Sequence, residues 1–198
     1  MEEEMFDAEN VGIGKGNPNG YAWVAPKGTK LPVDAKEAIP DGFVSMGYVN
    51  DEGVVNSTEA DSSDIKDWAG RVIKKVQNSF SETYQVGFLE GRTSVLKTYY
   101  GDENVEDDGK GSVTVRHNGA FTEERSFAIE TLLTATVIKR TVIPRGCIYD
   151  RDDVEHNSEN PVVYKATITA LPDASGNTSY DYYYNTATGS ASEPVDEG

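Results

Sequence analysis

The sequence predicts a mainly β domain, a β-sandwich or open barrel with one short packed α-helix. Apolar residues recur at a spacing of two along most of the chain, clusters of Gly, Pro, Asn and Asp punctuate those runs, and only one window has helical spacing. Alternate strand residues face opposite sides of a sheet, so a period of two marks segments buried on one face.

In chain order, Tyr21, Trp23 and Ala25 share a face of a first strand, and Phe43, Ser45, Gly47 and Val49 a face of the next. Tyr84, Val86 and Phe88 alternate with Gln85 and Gly87, Val113 and Val115 with Thr114 and Arg116, and Phe127 and Ile129 with Ser126, Ala128 and Glu130. The helix is expected over 92–100, where Val95, Leu96, Tyr99 and Tyr100 are one, three and four apart and Gly101 follows as a C-terminal cap. Nine residues are too few for an independent helix, so it must pack on a sheet. A hairpin is expected between 162–171 and 178–184, because Pro172-Asp-Ala-Ser-Gly-Asn177 is rich in turn formers. Tyr180, Tyr182 and Tyr184 would form a stripe there, read as cross-strand packing rather than a ligand platform.

These elements define one β-rich domain over 21–185. Residues 1–20 read as a flexible arm, mixing acids with Gly12, Gly14, Gly16, Pro18 and Gly20, and 186–198 as a disordered tail without apolar period. Residues 50–64 read as a long polar loop, and 150–160 as a second acidic connection.

The formal net charge is -16, unevenly distributed. Segments 1–11, 51–67, 102–108 and 186–198 carry 19 of the 34 acids and one of the 18 bases, leaving 15 acids against 17 bases elsewhere. Phosphate-directed nucleic-acid binding needs clustered Lys and Arg, so this pattern argues against it, whereas acidic loops suit repulsion of a polyanion or simple solubility. The start Met1-Glu-Glu-Glu4 lacks the basic and apolar character of a secretory signal, and no apolar run has membrane-spanning length; synthesis in a cytoplasm and no membrane partner are expected. A single cysteine, Cys147, cannot form an internal disulfide and reads as a strand thiol.

Catalytic and cofactor patterns do not assemble. Gly12-x-Gly14-x-Gly16 lacks the preceding strand and following helix of a dinucleotide loop. In 102–109 the calcium-loop positions six and twelve are Asp107 and Val113 rather than Gly and Glu, so a solvated turn is the better reading than a weak ion site. His117 and His156 have no Cys or His at zinc-ligand spacing, and no Gly-x-Ser-x-Gly elbow occurs. No cofactor, metal or enzymatic activity is expected.

A set of ordered landmarks is more informative. Gly47-Tyr-Val49 leads through an Asp/Glu-Gly turn into an acidic, Ser/Thr-rich stretch that ends in Ile65-Lys-Asp-Trp-Ala-Gly70. Ala22-Trp-Val-Ala-Pro26 and Leu31-Pro32 precede it; Val95-Leu-Lys-Thr-Tyr-Tyr-Gly101, Ile138-Lys-Arg-Thr-Val-Ile-Pro144 and Tyr164-Lys-Ala-Thr-Ile-Thr-Ala-Leu-Pro172 follow. In order and spacing these resemble the major tail proteins, the tail tube subunits of long-tailed, non-contractile bacteriophages. The resemblance spans roughly Tyr21 to Tyr184 and implies a structural virion protein. Its copies would form stacked, hexameric rings around a tape-measure protein, bounded by tail terminator and tail-tip proteins, with double-stranded DNA later passing without binding. The extra C-terminal immunoglobulin-like domain of many relatives has no counterpart in this sequence.

Under that resemblance, Asp51, Glu52, Glu59, Asp61, Asp64 and Asp67 are candidates for inter-ring contact. Arg71, Lys74, Lys75, Lys139 and Arg140 are their candidate basic partners. Glu82, Glu90, Glu124, Glu130 and Asp181 are candidates for a DNA-repelling lumen. The alternative function is a carbohydrate-binding β-sandwich adhesin, or another tail-tip or ring protein, using Trp23, Trp68 and the tyrosines.

Overall fold

A computed structural model describes residues 11–18, 20–120 and 122–189. The expectations for the first ten residues and for most of the tail lie outside those residues. The strands are β1 (Lys15–Gly16), β2 (Ala22–Pro26), β3 (Val44–Ser45), β4 (Val49–Lys66), β5 (Val72–Phe88), β6 (Val105–Asp107), β7 (Val113–Val115), β8 (Arg125–Leu132), β9 (Val137–Arg151), β10 (Tyr164–Ala170) and β11 (Tyr180–Asn185). Among the described residues the one α-helix, α1 (Thr93–Tyr100), is followed by a 3₁₀ turn at Asp102–Asn104.

Nine strands form one open antiparallel sheet, ordered β3-β2-β8-β9-β10-β5-β4, with β1 beside β8 and β11 beside β9; β6 and β7 form a separate ribbon. Its core follows the expected alternation in β5 and β8, but β2 buries Ala22 and Val24 rather than the face of Tyr21 and Trp23, and Met46 is buried after β3 rather than the set Phe43, Ser45, Gly47 and Val49. Ala22 and Val24, Phe127 and Ile129, Ile143 and Ile148, Ala166, Ile168 and Ala170, and Tyr84, Val86 and Phe88 belong to one buried cluster. Helix α1 packs Val95 and Tyr99 into the same cluster. It stops where predicted: the Gly101 N–H donates to the Lys97 carbonyl, and Gly101 has φ +97°, a conformation glycine adopts without Cβ strain.

Three expectations about the course of the chain also need correction. Strands β10 and β11 are not a hairpin. Both pair antiparallel with β9, β10 over Arg151 to Gly146 and β11 over Val142 to Val137, so they run end to end along the same edge of β9. The turn cluster 172–177 is real, with the Asp173 carboxylate accepting from the Ser175 and Asn177 N–H groups, but it makes an excursion rather than a reversal.

The 1–20 segment is not a free arm throughout. Lys15 and Gly16 pair with Leu132 and Thr131, and the Asn17 amide donates to Glu130 from a buried position.

The polar stretch 50–64 is strand, not loop. Its register pairs it with the more β-prone 72–86. Reversal occurs at Asp67-Trp-Ala-Gly70, where Asp67 accepts from the Gly70 N–H at 2.9 Å through its carbonyl, and from the Arg71 N–H at 2.8 Å and Nε at 2.7 Å through its carboxylate. Gly70 sits at φ +81°. A turn closed by a left-handed glycine is a favoured hairpin connection, because its twist matches that of the flanking strands.

Candidate assembly surfaces

The β4–β5 hairpin has a root and an arm. At the root, β5 is paired on both sides, with β4 and with β10, and Glu82 opposite Ala170 is its last residue to touch β10. From Ser81 back to Val72, β5 has β4 as its sole strand neighbour, and the side chains of 55–66 and 71–81 are exposed. At about 3.3 Å per residue, the dozen steps from Val54 to Lys66 carry the arm about 40 Å from its root. Isolated two-stranded ribbons are at best marginally stable, so an arm of this length needs a partner.

Pairing redistributes the arm's charge. The sequence segment 51–67 is acidic, but the returning strand brings Arg71, Lys74 and Lys75 alongside it. Asp67 bonds Arg71 and Asp64 bonds Lys75 at 3.2 Å, both within one hairpin, so these are not acid–base pairs held apart for another copy. Asp61 accepts from the Asn78 amide. Among the described residues Asp51, Glu59, Lys66 and Lys74 make no ion pair. Glu52 is held by Lys165 at 2.7 Å, which together with Asn50 lowers its pKa.

The remaining basic candidates lie in the body. Arg140 is buried: Nε donates to Glu130 Oε1 at 2.8 Å, Nη1 to the Asp34 carbonyl at 2.7 Å, and Nη2 to the Glu37 carbonyl at 2.8 Å and to Glu130. It cannot meet an acid on another ring. Lys139 pairs with Asp181 at 2.8 Å.

The lumen candidates divide the same way. Glu130 is buried against Arg140 and Asn17, because β8 is covered on both faces. Glu82 is also buried and accepts from Asn56, Tyr84, Thr178 and Ser179. Burial alone would raise its pKa, but those four donors outweigh it and lower the value. Neither carboxylate can line a lumen. Glu124 lies between Arg145 and Lys27, which hold its pKa down to about 2. Glu90 pairs with Arg92 at 2.9 Å and accepts the Tyr48 N–H, while Asp181 holds Lys139 and Thr141.

Two features escaped the sequence reading. One is a cavity of about 380 Å³ at the seam of the sheet, where β1 and the end of β8 approach the root of β4. The other is the condition of the two tryptophans: Trp23 is half-buried in β2, whereas Trp68 at the arm tip is fully exposed. Cys147 is buried and donates to the Thr122 carbonyl at 3.0 Å. In 102–109, the Asp107 and Asp108 carboxylates accept from backbone N–H groups of Gly109, Lys110 and Ser112, as a polar turn does. Among the described residues no cluster of metal-ligating side chains occurs and no helix is long and apolar enough to cross a membrane.

An exposed ribbon, an open sheet and carboxylates engaged within the chain describe a building block. The family model for phage tail tube proteins matches residues 17–193. The chain belongs to the phage tail tube protein family. No curated protein sequence matches it significantly. Membership makes this tail tube protein a structural component of the virion tail that assembles with copies of itself into a tube.

Proposed function

We propose that this tail tube protein closes into hexameric rings that stack around a tape-measure protein, and that the resulting conduit carries double-stranded DNA into the host. The arm is the observation that supports this reading most directly. Both of its edges present unpaired backbone N–H and C=O groups, a hazard in a monomer that an ordered assembly converts into an interface. Its length suits contact with a copy outside the immediate neighbour in a ring. Assembly in the host cytoplasm and capping by terminator and tail-tip proteins complete the proposal.

For the conduit, Glu90, Glu124 and Asp181 remain the proposed lumen carboxylates. Each holds a cation of its own chain that would otherwise attract a phosphate, so DNA finds no position in which to stall within a screening distance of roughly 8 Å at physiological salt. Neutralising them should slow ejection, and more so at low salt; unchanged ejection would remove these carboxylates from the mechanism.

Negative-stain electron microscopy across a concentration series, with light scattering, tests the assembly. Hollow tubes or stacked rings are expected. Monomers at every concentration, even with the tail-tip complex present as initiator, would overturn the proposal.

A further inference from the structure

We infer that the indole of Trp68 seats in the seam cavity of another copy of this chain, so that each subunit carries a knob at its arm tip and the matching hole at its arm root. This inference rests on the tube-assembly reading above and specifies the contact that makes it.

The hole is a gap left because the sheet does not close. One wall is Tyr21 and Ile129, the other Val49 and Val54 at the start of β4, with Gly14 and Gly16 leaving room between them. At about 380 Å³ it falls within the range of roughly 300–1,000 Å³ typical of ligand-holding cavities. The knob is the one fully exposed tryptophan, flanked by exposed Ile65, Val72 and Ile73. Tryptophan buries more surface than almost any other side chain and is enriched among residues that dominate interface energies.

Charge identifies the occupant. From Asp64 to Lys75 the tip has two acids, each paired to a base of the same hairpin, while Lys66 and Lys74 make no ion pair among the described residues. The mouth of the cavity carries Asp51 and Glu52 with Lys15, and beside it a second concavity of about 360 Å³ shares Asn50 and Glu52 and adds Asp152, Asp153 and Glu155 with Lys165, so these five acids outnumber the two bases even though Lys165 holds Glu52. An apolar knob with a basic collar therefore meets a partly apolar hole with a net acidic rim. Opposite potentials of this kind fix orientation and speed encounter. A chain cannot fill its own hole, since root and tip are about 40 Å apart along a paired strand. The contact is head-to-tail, the type that propagates an assembly.

Two variants test it in the full-length chain. Trp68→Ala should raise the concentration needed for half-maximal assembly at least ten-fold while leaving monomer melting unchanged. Ala69→Cys at the tip combined with Asp51→Cys at the mouth should give a ladder of disulfide-linked multimers on mild oxidation of assembled protein, and neither single variant should. Within one chain the two cysteines are too far apart to bond, because a disulfide needs Cα atoms within about 7 Å. Tubes that form with unchanged threshold in Trp68→Ala, and without a ladder in the double-cysteine variant, would overturn the knob-and-hole contact while leaving the tube reading standing. Failure of the unaltered chain to assemble even with initiator would bring down the tube reading and this contact together.

Discussion

The two halves of β5 belong to one strand but obey different constraints. Between Glu82 and Phe88 it is paired on both sides, and Tyr84, Val86 and Phe88 are sealed in the core. Between Val72 and Ser81 it is paired on one side only, and Val72, Ile73, Val76 and Phe80 face solvent. Both halves carry strong β-formers, Val72, Ile73, Val76 and Phe80 in one and Thr83, Tyr84, Val86 and Phe88 in the other, so local propensity does not by itself decide which half is buried. The body completes its contacts internally, whereas the arm displays apolar surface for which its own chain has no site. Contiguous exposed apolar surface in a soluble protein marks an interaction region.

The largest expected effect lies in the body. Arg140→Ala removes a cation that ties Glu130 to the Asp34 and Glu37 carbonyls, leaving a buried carboxylate with Asn17 as its remaining hydrogen-bond donor among the described residues. Breaking a buried ion pair from one side costs about 3–5 kcal/mol. Urea denaturation of the monomer should show that loss. Excising 59–81 and joining Thr58 to Glu82 through Asn-Gly should shift monomer stability far less yet abolish assembly. An equal loss from the excision would erase the distinction between body and arm.

Much of the body was legible because its signals are local. The α1 spacing and Gly101 lie within ten residues, and the alternation of 84–88 points to the face that is buried, whereas β8 is buried on both faces. Strand partnership is nonlocal, and there the sequence misled: the turn formers after Leu171 suit a hairpin, but the competing partner, β9, lies some thirty residues upstream. The arm was hidden because Asn, Ser and Asp in 56–64 are poor strand formers, and their conformation is imposed by 72–84. Its turn could have been found, since Asp67 and Gly70 occupy the first and fourth turn positions that favour those residues. Glu82 and Glu130 lie in strands and Glu90 and Glu124 just beyond strand ends, but whether such a carboxylate faces solvent depends on what covers each face.

An intermediate effect is expected at Glu82, the boundary between the two regimes. Its carboxylate gathers Asn56 from the base of the arm and Thr178 and Ser179 from the β10–β11 excursion. Glu82→Gln keeps the shape but replaces one acceptor oxygen with an NH₂ group, at a cost of about 1–3 kcal/mol near neutral pH. The folded pKa lies below the ordinary 4.5, so the wild-type advantage is complete above about 4.5 and declines as pH falls through that value toward the folded pKa. Urea midpoints of both proteins between pH 7 and 3 should therefore converge on acidification. Parallel curves would show that the carboxylate's charge does not hold the arm root.

The smallest effect should be Lys75→Ala, and its size separates the arm's two states. The Lys75–Asp64 pair is 3.2 Å long and spans the exposed ribbon, with the lysine side chain 72% accessible. Exposed pairs contribute about 0.2–1 kcal/mol, because water and salt already screen both charges. Melting of the monomer should hardly change. In an assembled tube the same pair would border a covered surface, where removing the lysine leaves Asp64 partly desolvated without its partner, so dissociation of tubes by salt or dilution should be the more sensitive readout. If monomer melting and tube dissociation are equally unaffected, this stretch of the arm remains in water after assembly and the contact is confined to the residues nearer Trp68.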